Sequence, residues 1–181
     1  MHVPASVVRK GALLAGLAAA LALPAPASAE VRLRAADPLE TVVVERINGI
    51  RRAHGLQPLA LHSALNRAAG SHAVNMARHG YFSHSWSGGT PFAKWIRRYW
   101  PGNGRYRSWS VGENLYWRGP TINATQVVTG WMASPPHRRN LLNREWRSIG
   151  VAAVMTLDPI GAYGGVPRAT VVAAEFGFRR S

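Results

Sequence analysis

Apolar residues recur every three or four positions in two stretches near the start of the chain. This spacing places them along one face of an α-helix. The first helix is predicted to begin at Asp37-Pro38, as an N-cap followed by Pro in the first turn, and to end at His54-Gly55. The second is predicted to run from about Ser63 to His79-Gly80. The sequence therefore predicts two amphipathic helices in its first half.

The pattern is broken more often after Gly80. Thr90-Pro91 predicts a short helix that runs to about Arg98, and Trp109 to Trp117 alternates loosely. A further helix is predicted from Thr121 or Asn123 to about Met132, where Ser134-Pro135-Pro136 ends it. His137 to Asn140 then forms the next helical turn.

Two apolar runs near the end of the chain read as strands, one from Ser148 to Thr156 and the other from Thr170 to Phe178. The segment 158–167, rich in Gly and Pro, predicts a hairpin loop between them. Helices come early and clear strands come late. This order favours an α+β sandwich over a parallel sheet.

The first 29 residues have the features of a secretory signal. Arg9 and Lys10 precede an apolar run from Gly11 to Leu23, which is too short to span a bilayer, and Ala27-Ser28-Ala29 offers a cleavage site. The alternatives are a buried helix and a retained anchor. We expect a signal peptide at 1–29 and one domain at 30–181, monomeric and secreted to the exterior or the cell envelope.

The chain is strongly basic, with 22 Lys and Arg against 8 Asp and Glu and a formal net charge of +14. This charge would suit an anionic wall polymer or a peripheral contact with an anionic lipid surface, or it could serve solubility alone. Export argues against a nucleic acid partner. The chain has no Cys, so it must be stable without disulfides, which favours a bacterial exported protein.

Three residues stand out as candidate chemical groups: His84, Glu113 and His137. Each lies near the end of a predicted element or in a loop, where functional side chains tend to gather. Two imidazoles and a carboxylate could bind Zn²⁺ or another divalent ion, or could act as general acid and base. Spacing alone leaves open whether they share a site.

A series of short stretches then adds to this reading: Arg52–Leu56, Ala64–Ala69, Gly80–His84, Thr90–Phe92, Gly112–Leu115, Trp131–Leu142 and Ile149–Val151. In this order and spacing the chain resembles the bacterial branch of the CAP superfamily, whose domain is also called the SCP domain. The resemblance covers roughly Leu39 to Gly177. It implies a three-layer αβα sandwich with a surface cleft.

In many CAP proteins two His and two acidic residues line the cleft, and the His pair can hold zinc. The resemblance assigns the His positions to His84 and His137 and the first acidic position to Glu113, a tentative catalytic residue. Ser134 stands at the second acidic position, so one carboxylate is missing. A mechanism with two carboxylates is therefore in doubt.

Other residues near these motifs have weaker claims. His72 lies on the apolar face of the second helix and reads as a core or cleft-floor residue rather than a ligand. Asn114 and Asn140 could orient cleft groups, although capping of local turns is the favoured interpretation. Glu145 and Glu175 are the residues that could replace the missing carboxylate in space.

Aromatic residues and arginines alternate between Trp86 and Arg118, a segment that holds five of the seven Trp. They could form a surface for a glycan or an anionic polymer, because aromatic faces stack on sugars and Arg pairs with phosphate. The simpler interpretation, which we favour, is that the Trp residues pack the sandwich while Arg faces solvent.

Two functions are therefore carried forward. The favoured one is an extracellular binding module that recognises a lipid, a glycan or an anionic wall polymer. The alternative is a metal-assisted hydrolase or protease in which a metal on His84 and His137 activates water and Glu113 acts as the base. Against it, the chain contains no His-Glu-x-x-His motif, no Cys nucleophile and no Gly-x-Ser-x-Gly motif.

Overall fold

The helices of the computed structural model lie where the apolar spacing predicts them. The structure describes residues 31–33, 38–102, 104 and 106–181; the expected signal at 1–29 and the capping role of Asp37 lie outside them. The helices are α1 (Pro38–Ala53), α2 (Ser63–His79), α3 (Phe92–Trp95, continued by a 3₁₀ turn), α4 (Ala124–Ala133) and α5 (Pro135–Leu141). Gly55 and Gly80 follow α1 and α2 with φ of 68° and 64°, a left-handed conformation that favours glycine.

A mixed sheet contains the strands β1 (Val31–Leu33), β2 (Ala60–Leu61), β3 (Ser108–Arg118), β4 (Ser148–Thr156) and β5 (Ala169–Arg180). Their order is β1-β4-β5-β3, and β2 pairs in parallel with β4. The other pairs are antiparallel. The predicted hairpin is confirmed as β4 and β5, and the loosely alternating segment forms β3 along its full length.

Helices cover both faces of this sheet. Alternate side chains such as Leu115, Ala152 and Ala173 pack against α2, because successive residues of a strand point to opposite faces. On the other face, Val172 and Phe176 join the core built by α1 and α4. The α+β sandwich of three layers is thus confirmed. In the described part of the chain, no helix is long and apolar enough to cross a membrane.

The sheet and α2 lie in close backbone contact at Gly150 of β4. A Cβ atom at this position would overlap the backbone of Leu65 and Asn66 in the first turns of α2. The Oδ1 atom of Asn66 accepts a hydrogen bond of 3.0 Å from the backbone N–H of Val151, so the contact is also fixed by a polar link. The absence of a side chain at Gly150 allows α2 to lie directly on the strands.

We expect Gly150→Ala to destabilise the fold by about 3 kcal/mol or more, because backbone atoms must move to admit the methyl group. Gly49→Ala is the control. No atom lies within 4 Å of a Cβ built there in α1, so that change should stabilise by about 0.5 to 1 kcal/mol. Urea unfolding of both variants measures the difference; equal midpoints would contradict the close approach.

Candidate functional site

Two glutamates face each other across the β3–β5 pair. Glu113 and Glu175 are direct partners in the antiparallel register, so both side chains lie on the same face of the sheet. The face is the one that α2 covers, since Leu115 and Ala173 point the same way. Glu175 is fully buried, and only 1% of the Glu113 side chain is exposed.

Two histidines hold the Glu113 carboxylate, one on each oxygen. The Nδ1 atom of His72, on α2, lies 2.6 Å from Oε1, and the Nδ1 atom of His84, in the turn after α2, lies 2.5 Å from Oε2. A carboxylate accepts hydrogen bonds and donates none, so both imidazoles donate through Nδ1–H. The arrangement fixes the orientation of each ring and leaves Nε2 as its second nitrogen.

These contacts set opposing pKa shifts in Glu113 and His84. Burial alone would raise the pKa of Glu113, but hydrogen bonds from His72 and His84 outweigh it and hold that pKa below its ordinary value. The hydrogen bond to Glu113 raises the pKa of His84 above its ordinary value, although partial burial opposes the rise. The pair therefore favours an ionised Glu113.

Glu175 behaves in the opposite way. Both of its oxygens are buried without a hydrogen-bond donor among the described residues. Burial, and then the negative charge of Glu113, raise the pKa of Glu175 well above its ordinary value. The raised pKa favours the neutral form of Glu175, next to a Glu113 whose lowered pKa favours the charged form.

Aromatic rings enclose the buried end of this network. The ring of His72 is stacked on Trp86 with centroids 5.7 Å apart and lies 4.6 Å from the ring of Trp95. The indole Nε1–H of Trp95 donates to the backbone carbonyl of His84 at 3.0 Å. Trp95 therefore fixes the turn that carries His84 as well as the surroundings of His72.

A second polar chain attaches α5 to the opposite face of β3. Asn114, next to Glu113, is fully buried and donates through Nδ2 to the backbone carbonyl of His137 at 3.1 Å. The Nδ2 atom of Asn140 donates to Oδ1 of Asn114 at 3.0 Å, and the Nε1–H of Trp146 donates to Asn140. Asn114 and Asn140 thus join strand to helix, rather than capping local turns.

These hydrogen bonds place His137 beside β3. It lies half-buried in the first part of α5, and Ser134 forms the junction at which α4 ends and α5 begins. Burial, and then the nearby charge of His84, lower the pKa of His137. His84 and His137, called the rim histidines below, are therefore close enough to repel each other when both are protonated.

His72 and Glu175 take a larger part in the site than their sequence patterns indicate. His72 is fully buried, as its place on the apolar face of α2 predicts, but its ring also bonds Glu113 directly. Glu175, and not Glu145, brings a second carboxyl group next to Glu113, although it comes from a distant strand. Only the register of β3 on β5 reveals this, because it pairs residues 113 and 175. Glu145 is exposed in the loop before β4.

The described residues contain one group with the composition of a metal site. His72, Glu113 and Glu175 each offer a ligand atom, and these atoms lie within 4.8 Å of one another. The group could hold a metal ion. All three residues are buried, and the hydrogen bonds above already engage both oxygens of Glu113.

The aromatic segment mainly packs the fold. Trp95 and Trp100 are almost fully buried, and the guanidinium of Arg97 lies 4.5 Å from the ring centre of Trp109. Trp86 is the partial exception, because it also lines an open groove of about 550 Å³ along α2 together with Tyr99.

Comparison with known proteins places this architecture in a family. The family model described as CAP, the cysteine-rich secretory protein family, matches residues 44–158. The uncharacterized protein YkwD of Bacillus subtilis (strain 168) is 32% identical over 121 residues, which are 64% of this chain and 42% of that protein. The chain thus spans less than half the length of this relative.

Solved structures agree in fold. An outer surface protein of Borrelia burgdorferi matches with a TM-score of 0.62 at 22% identity, over 77% of this chain and 92% of that one. An extracellular protein containing an SCP domain from Bacillus anthracis matches with a TM-score of 0.59 at 24% identity, over 78% and 40%. At such identities the likeness shows the fold alone.

We expect Glu175→Gln to raise stability at alkaline pH and leave it nearly unchanged near pH 4. Unfolded Glu175 ionises near its ordinary pKa, whereas folded Glu175 keeps its proton. The contribution of Glu175 to the free energy of unfolding is therefore fully present below that ordinary pKa. Above it, the contribution falls by about 1.4 kcal/mol for each pH unit until the raised pKa is reached. Gln is close in size to Glu and does not titrate, so this pH dependence should be lost in the variant.

Urea midpoints measured from pH 4 to pH 9 test this expectation, with exposed Glu145→Gln as the matched control. If the Glu175 variant and the control follow the wild-type curve alike, Glu175 is ionised in the folded protein and the network is wrongly described.

Proposed function

The chain belongs to the CAP family of cysteine-rich secretory proteins, and from this premise we propose that it is an extracellular bacterial binding domain whose cleft holds a divalent metal ion on His84 and His137. The relatives named above are bacterial, and one is described as extracellular. The signal expected at 1–29 supports the same location.

The observation that carries the metal proposal is the hydrogen bond from Nδ1–H of His84 to Glu113. Histidines that bind metals commonly donate their other ring N–H to a carboxylate, which fixes the ring and makes the free nitrogen a better ligand. In His84 the free nitrogen is Nε2, on a side chain that is 57% exposed. Glu113 is thus a positioning residue in this proposal.

His137 fits the second ligand position. Its lowered pKa keeps the imidazole neutral near pH 7, as metal binding requires. The hydrogen bond from Asn114 to the carbonyl oxygen of His137 holds the backbone of His137 next to β3. Two imidazole nitrogens suit zinc. A bound ion would supply a Lewis acid with positions left for a ligand.

The buried group of His72, Glu113 and Glu175 is a weaker candidate for the ion. A metal there would have to replace hydrogen bonds on both oxygens of Glu113 and remove the proton of Glu175. It would also have to enter a closed site. The hydrogen bond between His72 and Glu113, together with the neutral form of Glu175, already accounts for the charges of this group without a metal.

Hydrolysis is the second candidate and fits less well. A general base needs an available lone pair and a pKa near the working pH. Glu113 has both oxygens engaged and a lowered pKa, and Glu175 is buried and protonated. These features favour ligand binding in the cleft over acid–base catalysis.

We expect purified protein to bind Zn²⁺ with a stoichiometry of one, and the double change His84→Ala, His137→Ala to abolish this binding while the fold remains intact. Calorimetric titration measures the binding and circular dichroism checks the fold. Glu175→Gln is the companion variant, since it disables the buried group while leaving the rim histidines. Binding lost in Glu175→Gln but kept in the double variant would move the metal to the buried group.

We expect Glu113→Gln to weaken Zn²⁺ binding by about 10- to 100-fold at pH 8, because loss of the carboxylate behind a ligating imidazole has effects of this size. The same titration measures it. The pKa of His84, followed by NMR, should fall in this variant because a neutral amide oxygen is a weaker acceptor than the carboxylate that raises this pKa. An unchanged affinity together with a lowered pKa would show that Glu113 does not support the ligand.

A further inference from the structure

The segment after His137 forms a strongly basic groove. Between residues 135 and 147 the sequence has four arginines and one acidic residue, Glu145. Three exposed arginines, Arg138, Arg139 and Arg144, line a groove of about 480 Å³ with Leu142 and Asn143. No acidic side chain is among these lining residues, so the positive charges face one space without a counter-ion from the lining.

Two other arginines hold the backbone of this segment. The Nη1 atom of Arg51 donates to the carbonyl oxygens of Leu141 at 2.7 Å and Asn143 at 2.9 Å. The Nη1 atom of Arg147 donates to those of Arg144, Glu145 and Trp146, at 2.7 to 3.0 Å. Guanidinium groups thus occupy five carbonyl oxygens of the segment. The groove is a preorganised feature, since an anion would not have to reorder this loop.

Arg51 adds a buried charge beneath the segment. Its side chain is fully buried, and its hydrogen bonds go to neutral carbonyls, the third being to Gln57 at 2.9 Å. Its Nη2 atom is buried without a partner among the described residues. Burial and then the charge of Arg147 lower the pKa of Arg51. Crowded cations of this kind are stabilised when an anion binds nearby.

We propose that this arginine groove binds the phosphodiester groups of an anionic extracellular polymer. The proposal rests on the proposed function only for the extracellular location, and it uses a different set of residues from the metal cleft. Guanidinium groups match phosphate through two parallel hydrogen bonds, and Arg is not replaced by Lys in this role.

A polymer fits the groove better than a membrane surface. Binding at a bilayer combines basic residues with apolar side chains that enter the acyl boundary. The exposed large apolar residues in the described part of the chain are Leu61, Phe82 and Ile160, and none of them lines the groove. Among the described residues that line the groove, the one apolar side chain, Leu142, is only half-exposed, so the groove offers charge without a fully exposed apolar anchor.

The test uses a synthetic glycerol phosphate oligomer as the probe and the triple variant Arg138→Gln, Arg139→Gln, Arg144→Gln. The control is Arg67→Gln, Arg98→Gln, Arg168→Gln, which removes the same net charge from exposed positions elsewhere in the chain. We expect the groove variant to bind at least about tenfold more weakly than the control at physiological salt. In the groove variant the negative slope of log affinity against log salt concentration should become shallower by about two, as expected for the loss of three phosphate contacts.

Equal losses in the two variants would overturn the proposal, because the affinity would then come from the overall charge. Binding to phosphatidylglycerol vesicles that exceeds binding to the oligomer and needs the same arginines would overturn the assignment to a polymer. Zn²⁺ titration of the groove variant separates this proposal from the metal cleft. Zn²⁺ that fails to bind the wild type rejects the metal site alone, whereas normal Zn²⁺ binding with no oligomer binding rejects the groove alone.

Discussion

The arrangement of the candidate site depends on one buried carboxylate, Glu113, which bonds two histidines and faces a second carboxyl group. Glu113 receives hydrogen bonds from His72 and His84 and lies opposite the protonated Glu175. An isolated carboxylate at this depth would be strongly disfavoured, so it persists because donors surround it. Each donor comes from a different part of the chain, and the charge therefore ties α2, its following turn and two strands together.

The two faces of β3 position different histidines of the candidate site. Glu113 points to the α2 side and holds His84, while the next residue, Asn114, points to the other side and holds the backbone of His137. Because β3 lies at the edge of the sheet, elements from both layers can meet around it. A change that shifted the register of β3 by one residue would exchange these two roles and dismantle both halves of the site.

The sequence predicts the helices and the last hairpin well because their signals are local. Apolar spacing and the glycines after α1 and α2 define the helices, and the apolar runs define β4 and β5. The site is harder to predict, because Glu175 meets Glu113 only through the pairing of β3 with β5, which are about 60 residues apart in the sequence. Glu175 lies in an apolar run and has no motif of its own, so only the register with β3 reveals its partner. His72 was likewise hidden by its place on an apolar helical face.

The same pairing bears on the surface charge of the molecule. The acidic residues are few, and two of the eight are withdrawn from the surface: Glu113 is compensated by histidines and Glu175 keeps its proton. Carboxylates that serve the interior cannot balance the arginines outside. The basic surface is therefore partly a consequence of how the core is built, because two of the few acidic residues are not at the surface to pair with arginines.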